Sequence, residues 1–295
     1  MSNKTMVIDW GNTIVKADNI HFLNRMRIED YNESRTSTDD KNFLILDGKI
    51  YFMEVEGEKV PKDYLKTNRN FLVPTLYAIA KAYEEENEIT VNVLGTLPID
   101  QISQKNKLVE TLSDKTFEFI YNGIKKKVNI GKVMVIKECV AAFYTLKEKS
   151  GQKLLIDIGS LTTNLFVTRD GKAVAEKTIA SGQLDWYKMI VERHIADGFG
   201  QLVVEEVNMM LENKVFQDEC KDIIEETKKA FAKGLVEEIK SLLPNANRFD
   251  IVLVGGGAEV FSKNLEDHYR NVSVHSNPIF ANINGLAIIK KLKNL

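Results

Sequence analysis

Two stretches decide the reading of this chain: Met6-Val7-Ile8-Asp9-Trp10-Gly11-Asn12-Thr13 and Leu154-Leu155-Ile156-Asp157-Ile158-Gly159-Ser160. Each is an apolar run that stops at Asp-x-Gly and passes into small polar residues, Leu161-Thr162-Thr163-Asn164 in the second copy. The two aspartates stand half a chain apart. Solenoid repeats recur every 20–50 residues or so, so this spacing points instead to two similar halves. Each copy reads as a strand, a tight glycine turn and a second strand, over 13–16 after the first turn and 164–168 after the second.

A strand that ends at Asp-x-Gly carries a carboxylate at its tip and backbone N–H groups in the turn beside it. Such N–H groups suit phosphate oxygens. The carboxylate suits the hydration shell of Mg²⁺, which keeps several waters and is held by one or two carboxylates plus phosphates. Two such turns would hold a phosphate chain from both sides. The plainer alternative is that Asp and Gly only punctuate a β-turn, and the recurrence of the pattern weighs against it. Gly255-Gly256-Gly257 follows a strand and precedes a helix, where backbone can approach a nucleotide closely. It is not a dinucleotide fingerprint, because Val260 stands where the third glycine would be, counting from Gly255. Too little chain follows for a full dinucleotide-binding half. No G-x-x-x-x-G-K-[ST] run occurs, which excludes a P-loop.

Around these motifs strands alternate with helices, the pattern of an α/β architecture. The first half predicts strands over 43–46 and 50–53 about Asp47-Gly48, and over 116–121 and 126–130 about Asn122-Gly123, both strong hairpin signals. The polar stretch over 32–40 predicts an exposed loop. Helical spacing covers 71–86 and 138–149, and a strand over 89–94 leads into Gly95-Thr96-Leu97-Pro98-Ile99. In the second half helices are expected over 186–195, 203–211, 220–243 and 284–292, with a buried strand over 249–254.

The chain has 295 residues, about two domains' worth, and is 44% hydrophobic, which excludes wholesale disorder. Forty basic against 42 acidic side chains give a net charge of −2, which removes the electrostatic case for a nucleic-acid-wrapping protein. Cys139 and Cys220 are too few for a disulfide framework or a four-ligand zinc site. His21, His194, His268 and His275 are scattered. No run approaches about 18 apolar residues, and Met1–Thr5 leads directly into a strand, so no membrane span or signal peptide is expected and the location expected is cytoplasmic. Cys139 reads as a small core residue within the 138–149 helix, and Lys125-Lys126-Lys127 as a solvated hairpin edge.

Taken in order, these motifs resemble the actin superfamily. Asp9-Trp10-Gly11-Asn12-Thr13…Lys16 is similar to its first phosphate loop, Asp157-Ile158-Gly159-Ser160-Leu161-Thr162-Thr163 to its second, and Val254-Gly255-Gly256-Gly257-Ala258-Glu259 to its adenosine-binding turn. Gly95-Thr96-Leu97-Pro98-Ile99 and the ending Asn277-Pro278…Asn284-Gly285-Leu286 narrow the likeness to the bacterial plasmid-segregation actins of the ParM type. It runs from position 6 to position 290. Two departures stand out: Trp10 is bulky where that type has a small or acidic residue, and Asn164 stands where a second acidic residue is common.

The resemblance implies an actin-like α/β fold of two similar domains flanking a nucleotide cleft. The domains would be 1–150, with a hairpin-containing subdomain at about 33–68, and 151–295, whose last helix packs back on the first. It implies a filament-forming ATPase that segregates plasmid DNA, using ATP (or GTP) and Mg²⁺. Its partners would be other copies of itself and a DNA-binding adaptor on a plasmid centromere, with no direct contact to nucleic acid or membrane. Asp9, Gly11, Asn12, Thr13, Lys16, Gly159, Ser160, Leu161, Thr162, Gly255, Gly256, Gly257 and Ala258 would bind nucleotide. Asp9 and Asp157 would hold Mg²⁺ through water, with Asp157 also counted among the catalytic residues. Glu138 would orient the attacking water; read without the resemblance, it is a carboxylate favoured at a helix start. Two other readings are a small-molecule kinase of the same superfamily and a structural relative that binds nucleotide without turnover.

Overall fold

The computed structural model describes residues 4–32, 41–55 and 65–295. All but Asn32 of the loop expected over 32–40, and part of the subdomain expected over 33–68, lie outside the described residues. The chain divides into two compact units, one of Met1–Thr145 with Asn282–Leu295 and one of Leu146–Ala281.

The first unit runs β1 (Lys4–Trp10), β2 (Ile14–Ala17), β3 (Ile20–Leu23), β4 (Met26–Asp30), β5 (Phe43–Leu46), β6 (Lys49–Met53), α1 (Leu72–Ala82), β7 (Glu88–Leu97), α2 (Lys105–Leu112), β8 (Lys115–Tyr121), β9 (Ile124–Lys137) and α3 (Val140–Phe143). Its strands form one sheet in the order β3-β2-β1-β7-β9-β8-β5-β6-β4. β1, β7 and β9 are parallel neighbours at its centre, and β1 is buried from Thr5 to Trp10, as a strand covered on both faces should be. Both expected hairpins form. Asp47-Gly48 and Asn122-Gly123 place two successive residues at positive φ, the backbone a two-residue turn requires to follow strand twist.

The second unit runs β10 (Gln152–Ile158), β11 (Thr163–Arg169), β12 (Lys172–Ile179), α4 (Gln183–Ala196), α5 (Val204–Met210), α6 (Lys214–Glu219), α7 (Lys221–Leu242), β13 (Asp250–Val254), α8 (Ala258–Glu266) and β14 (Val272–Val274). Its sheet order is β12-β11-β10-β13-β14. That is the order of β3-β2-β1-β7-β9 in the first unit: an antiparallel meander of three strands, then two parallel neighbours. The repeat read from two short motifs is therefore a repeat of five strands. The closing helix α9 (Ala281–Leu292) returns to the first unit. There the Asn282 Oδ1 accepts the Cys139 N–H at 3.0 Å and the Lys290 ammonium donates to the Thr5 carbonyl.

Three expectations need correction. The helix expected over 138–149 is one turn, α3. Ala141, Ala142 and Phe143 are buried, but 147–150 are polar, so a second turn would bury nothing, and an isolated helix that short is not stable in water. Cys139 is buried as expected but precedes that helix, at φ +62°. Lys126 is not a solvated edge. It is 2% exposed and its ammonium donates to the Glu84 and Glu86 carbonyls beyond the end of α1. β9 also runs well past the expected 130, because Gly131-Lys132 forms an irregularity rather than a break. There the Lys132 N–H donates to Asn92 Oδ1 at 2.8 Å.

Trp10 turns into the core. Its ring is 5% exposed, its indole N–H donates to Thr75 Oγ1 of α1 at 2.9 Å, and it occupies the space a side chain on Gly95 would need. The bulk at position 10 is thus matched by the missing Cβ at position 95 on the neighbouring strand. Gly95→Ala should therefore overpack this site and lower unfolding free energy by about 1–3 kcal/mol, read as a drop in urea midpoint. An unchanged midpoint would contradict this packing.

Candidate functional site

In the first unit the carboxyl ends of three parallel strands meet. Asp9 is the next-to-last residue of β1, Thr96 lies near the end of β7, and Glu138 follows β9. Asp9 is buried and doubly held: Oδ2 accepts from the Lys16 ammonium at 3.1 Å and Oδ1 from the Thr96 hydroxyl at 3.0 Å. Burial pushes its pKa up. The charges of Lys16 and Lys66, with the two hydrogen bonds, outweigh that and hold it below the ordinary aspartate value. Beyond Asp9 the turn is tight. The Gly11 N–H donates to the Asp9 carbonyl at 2.8 Å, the Asn24 amide donates to the Gly11 carbonyl at 2.9 Å, and a Cβ on Gly11 would collide with the Ile14 carbonyl. Asn12 is buried and accepts from the Arg69 guanidinium.

Glu138 is buried and forms an ion pair with the equally buried Lys66. Its backbone N–H donates to the Leu97 carbonyl at 2.8 Å. Lys66 opens a 3-10 turn, Lys66–Asn68, and its own backbone N–H donates to Gln101 Oε1 at 2.9 Å.

In the second unit Asp157 lies near the end of β10, beside Val254 of its parallel neighbour β13. The turn after it is closed by the Gly159 N–H donating to the Thr162 carbonyl at 2.9 Å. The start of α4 docks on this turn: the N–H groups of Gln183 and Leu184 donate to the carbonyls of Gly159 and Ser160 at 3.0 and 2.9 Å. The triple-glycine turn lies against the same strand end. The Gly257 N–H donates to the Ile158 carbonyl at 2.9 Å. Gly255 sits at φ +85°, and a Cβ there would collide with the Asp157 carboxylate. Ala258 is the buried first residue of α8. Ligand sites of open α/β sheets form outside the carboxyl ends of the strands, where both constellations stand.

The structure thus brings Asp9, Gly11, Asn12, Thr13, Lys16 and Glu138 to one sheet edge, and Asp157, Gly159–Thr162 and Gly255–Ala258 to the corresponding edge of the second unit. Sequence reasoning missed Lys66, Arg69 and Gln101, and saw Thr96 only as part of a motif. The stretch over 65–70 carries no periodicity or glycine signal that would have flagged it. The repeat also has an electrostatic asymmetry. Each aspartate faces the residue seven positions on across its hairpin: Asp9 faces Lys16, whereas Asp157 faces the neutral Asn164, whose Oδ1 accepts from Thr178 Oγ1 at 2.7 Å.

A lowered carboxylate pKa stabilises the fold where the unfolded state would bind the proton more readily. Asp9 therefore contributes its full stabilisation above about pH 5, and loses it as the pH falls through the ordinary aspartate value of 3.8 and below. The stability advantage of the parent over Asp9→Asn should shrink on acidification across that window, as read from urea midpoints. A gap that widens would contradict the assignment.

Comparison with known proteins bears on the whole chain. The family model described as "Archaeal actin homologue MreB-like, C-terminal" matches residues 155–267. No curated protein sequence matches. Among solved structures, that of apo psk41 parM protein aligns at a TM-score of 0.71 with 19% identity, over 100% of this chain and 98% of that one. A 15-stranded ParM filament from Clostridium botulinum aligns at 0.72 with 19% identity, over 99% and 100%. Ta0583, an archaeal actin homolog, solved in complex with ADP, aligns at 0.75 with 15% identity, over 98% and 99%. Across its length this chain has an actin-like fold, and it resembles the ParM type.

Proposed function

We propose that the chain is an ATPase that assembles into filaments and segregates plasmid DNA through a separate DNA-binding adaptor at a plasmid centromere. The observation that carries this reading is the duplicated hairpin. An Asp-x-Gly turn stands at the carboxyl end of a parallel strand in each unit, and the second is backed by a glycine turn packed against it. One actin homolog of similar fold was solved with ADP and one ParM of similar fold as a filament.

Each residue has a defined task in this reading. The N–H groups of the turns at 11–13 and 159–162 hold phosphate oxygens. Lys16, and Arg69 through Asn12, give the first turn its positive character. Gly255, Gly256 and Gly257 let backbone pass close to the nucleoside, and Glu138 orients the attacking water. Phosphoryl transfer asks the protein mainly for positioning and charge stabilisation, which this set supplies.

Mg²⁺ fits the donor set. Among the described residues no group of three acidic, histidine or cysteine side chains could cage a metal, and Mg²⁺ is held by one or two carboxylates with waters and phosphates. Asp9 and Asp157 are the carboxylates that would hold it through water, with Lys16 across the hairpin from the first and the neutral Asn164 across from the second. When bound, the cation would offset charge on the phosphates. The test follows phosphate release and pelleting together with ATP, ADP or no nucleotide. The parent should release phosphate and pellet with ATP, and Asp157→Ala should lose about tenfold or more in Mg²⁺-dependent nucleotide affinity. Flat phosphate release with no nucleotide-dependent pelleting would overturn the proposal.

A further inference from the structure

Lys66 is a buried member of the first-unit site to which the proposed function assigns no contact with nucleotide or water. It is 7% exposed, 8% at the side chain, and Glu138 is equally enclosed. Both partners are held by one short segment at the end of β7. The Leu97 carbonyl takes the Glu138 N–H, and three residues past Pro98 the Gln101 side chain takes the Lys66 N–H. Gln101 is itself 1% exposed, and its N–H donates to the Pro98 carbonyl at 3.0 Å. On the next residue, the Thr67 hydroxyl donates to Gln104 Oε1 at 2.5 Å. The backbone behind each partner is held by its own hydrogen bond, and the two side chains meet in the ion pair. Phosphate-facing roles already have cations nearer the first turn: Lys16 on Asp9 and Arg69 on Asn12.

We propose that Lys66 is the positioning residue for Glu138: their buried ion pair sets the direction of the carboxylate that orients the attacking water, and Lys66 does not bind the phosphates itself. The proposal rests on the ATPase reading. A carboxylate that must place a water works only within hydrogen-bond reach of it, and a glutamate with three free torsions needs something to stop it swinging. A buried charge pair does this, and removing one partner leaves the other uncompensated. Lys66 would thus act on turnover through Glu138 and leave nucleotide affinity alone.

The experiment compares the parent, Lys66→Met, Glu138→Gln and the double variant. It measures phosphate release at saturating ATP, affinity for a fluorescent ATP analogue and thermal unfolding. Lys66→Met should lower the saturating rate by about 10²-fold, the scale of a displaced general base, with affinity within about threefold of the parent. The double variant should be no slower than Glu138→Gln alone, since residues that act as a unit are not additive. Should Lys66→Met fail to fold, the double variant, which removes both charges, is compared with Glu138→Gln. Equal affinity supports the proposal, and a tenfold loss makes Lys66 a phosphate ligand and overturns it. Losses that add in rate overturn it too, as does a Lys66→Met whose rate and affinity fall together. A parent that releases no phosphate overturns the ATPase reading and this inference with it. A parent that does release phosphate, with additive losses, overturns this inference alone.

Discussion

The parallel pairing of β1, β7 and β9 is the constraint on which the first unit's site depends. In this register three chain segments distant in sequence end at one edge, so Asp9, Thr96 and Glu138 become neighbours. β7 is the hub. Gly95 admits the Trp10 ring, Thr96 holds Asp9, the Leu97 carbonyl holds Glu138, and Gln101 holds Lys66. Side chains alternate along a strand, so a one-residue slip of β7 would send Thr96 to the opposite face and bring a side chain to the place where Gly95 leaves room for Trp10. The packing of the core and the electrostatics of the site thus share one register.

The same five-strand plan carries the second unit with different chemistry. A cation faces the first aspartate and an amide faces the second. The first turn is supported by the Asn24 side chain, the second by the start of α4 and by the triple-glycine turn, whose missing side chains leave room for Asp157, Ile158 and Gln183.

What was legible in the sequence followed from locality. Asp157-Ile158-Gly159 and Asp9-Trp10-Gly11 announce themselves because turn chemistry is written in adjacent residues, and Asp47-Gly48 and Asn122-Gly123 because left-handed backbone selects those types. Lys66 and Arg69 were not legible: their role arises from pairing with residues 72 and 57 positions away, and nothing local marks them. The helix expected over 138–149 failed for a related reason, since its apolar spacing stops where the buried surface stops. Trp10 looked like a departure in the phosphate turn, and proves to be a core residue whose partner, Gly95, lies on another strand.

The central proposal is that the Asp-x-Gly turn of each unit takes part in nucleotide binding. Amide hydrogen exchange followed by mass spectrometry, with and without Mg-ATP, addresses it directly. The account predicts added protection in peptides covering 9–16, 157–164 and 254–259 together. Protection confined to one unit, or none in any of the three, would contradict it.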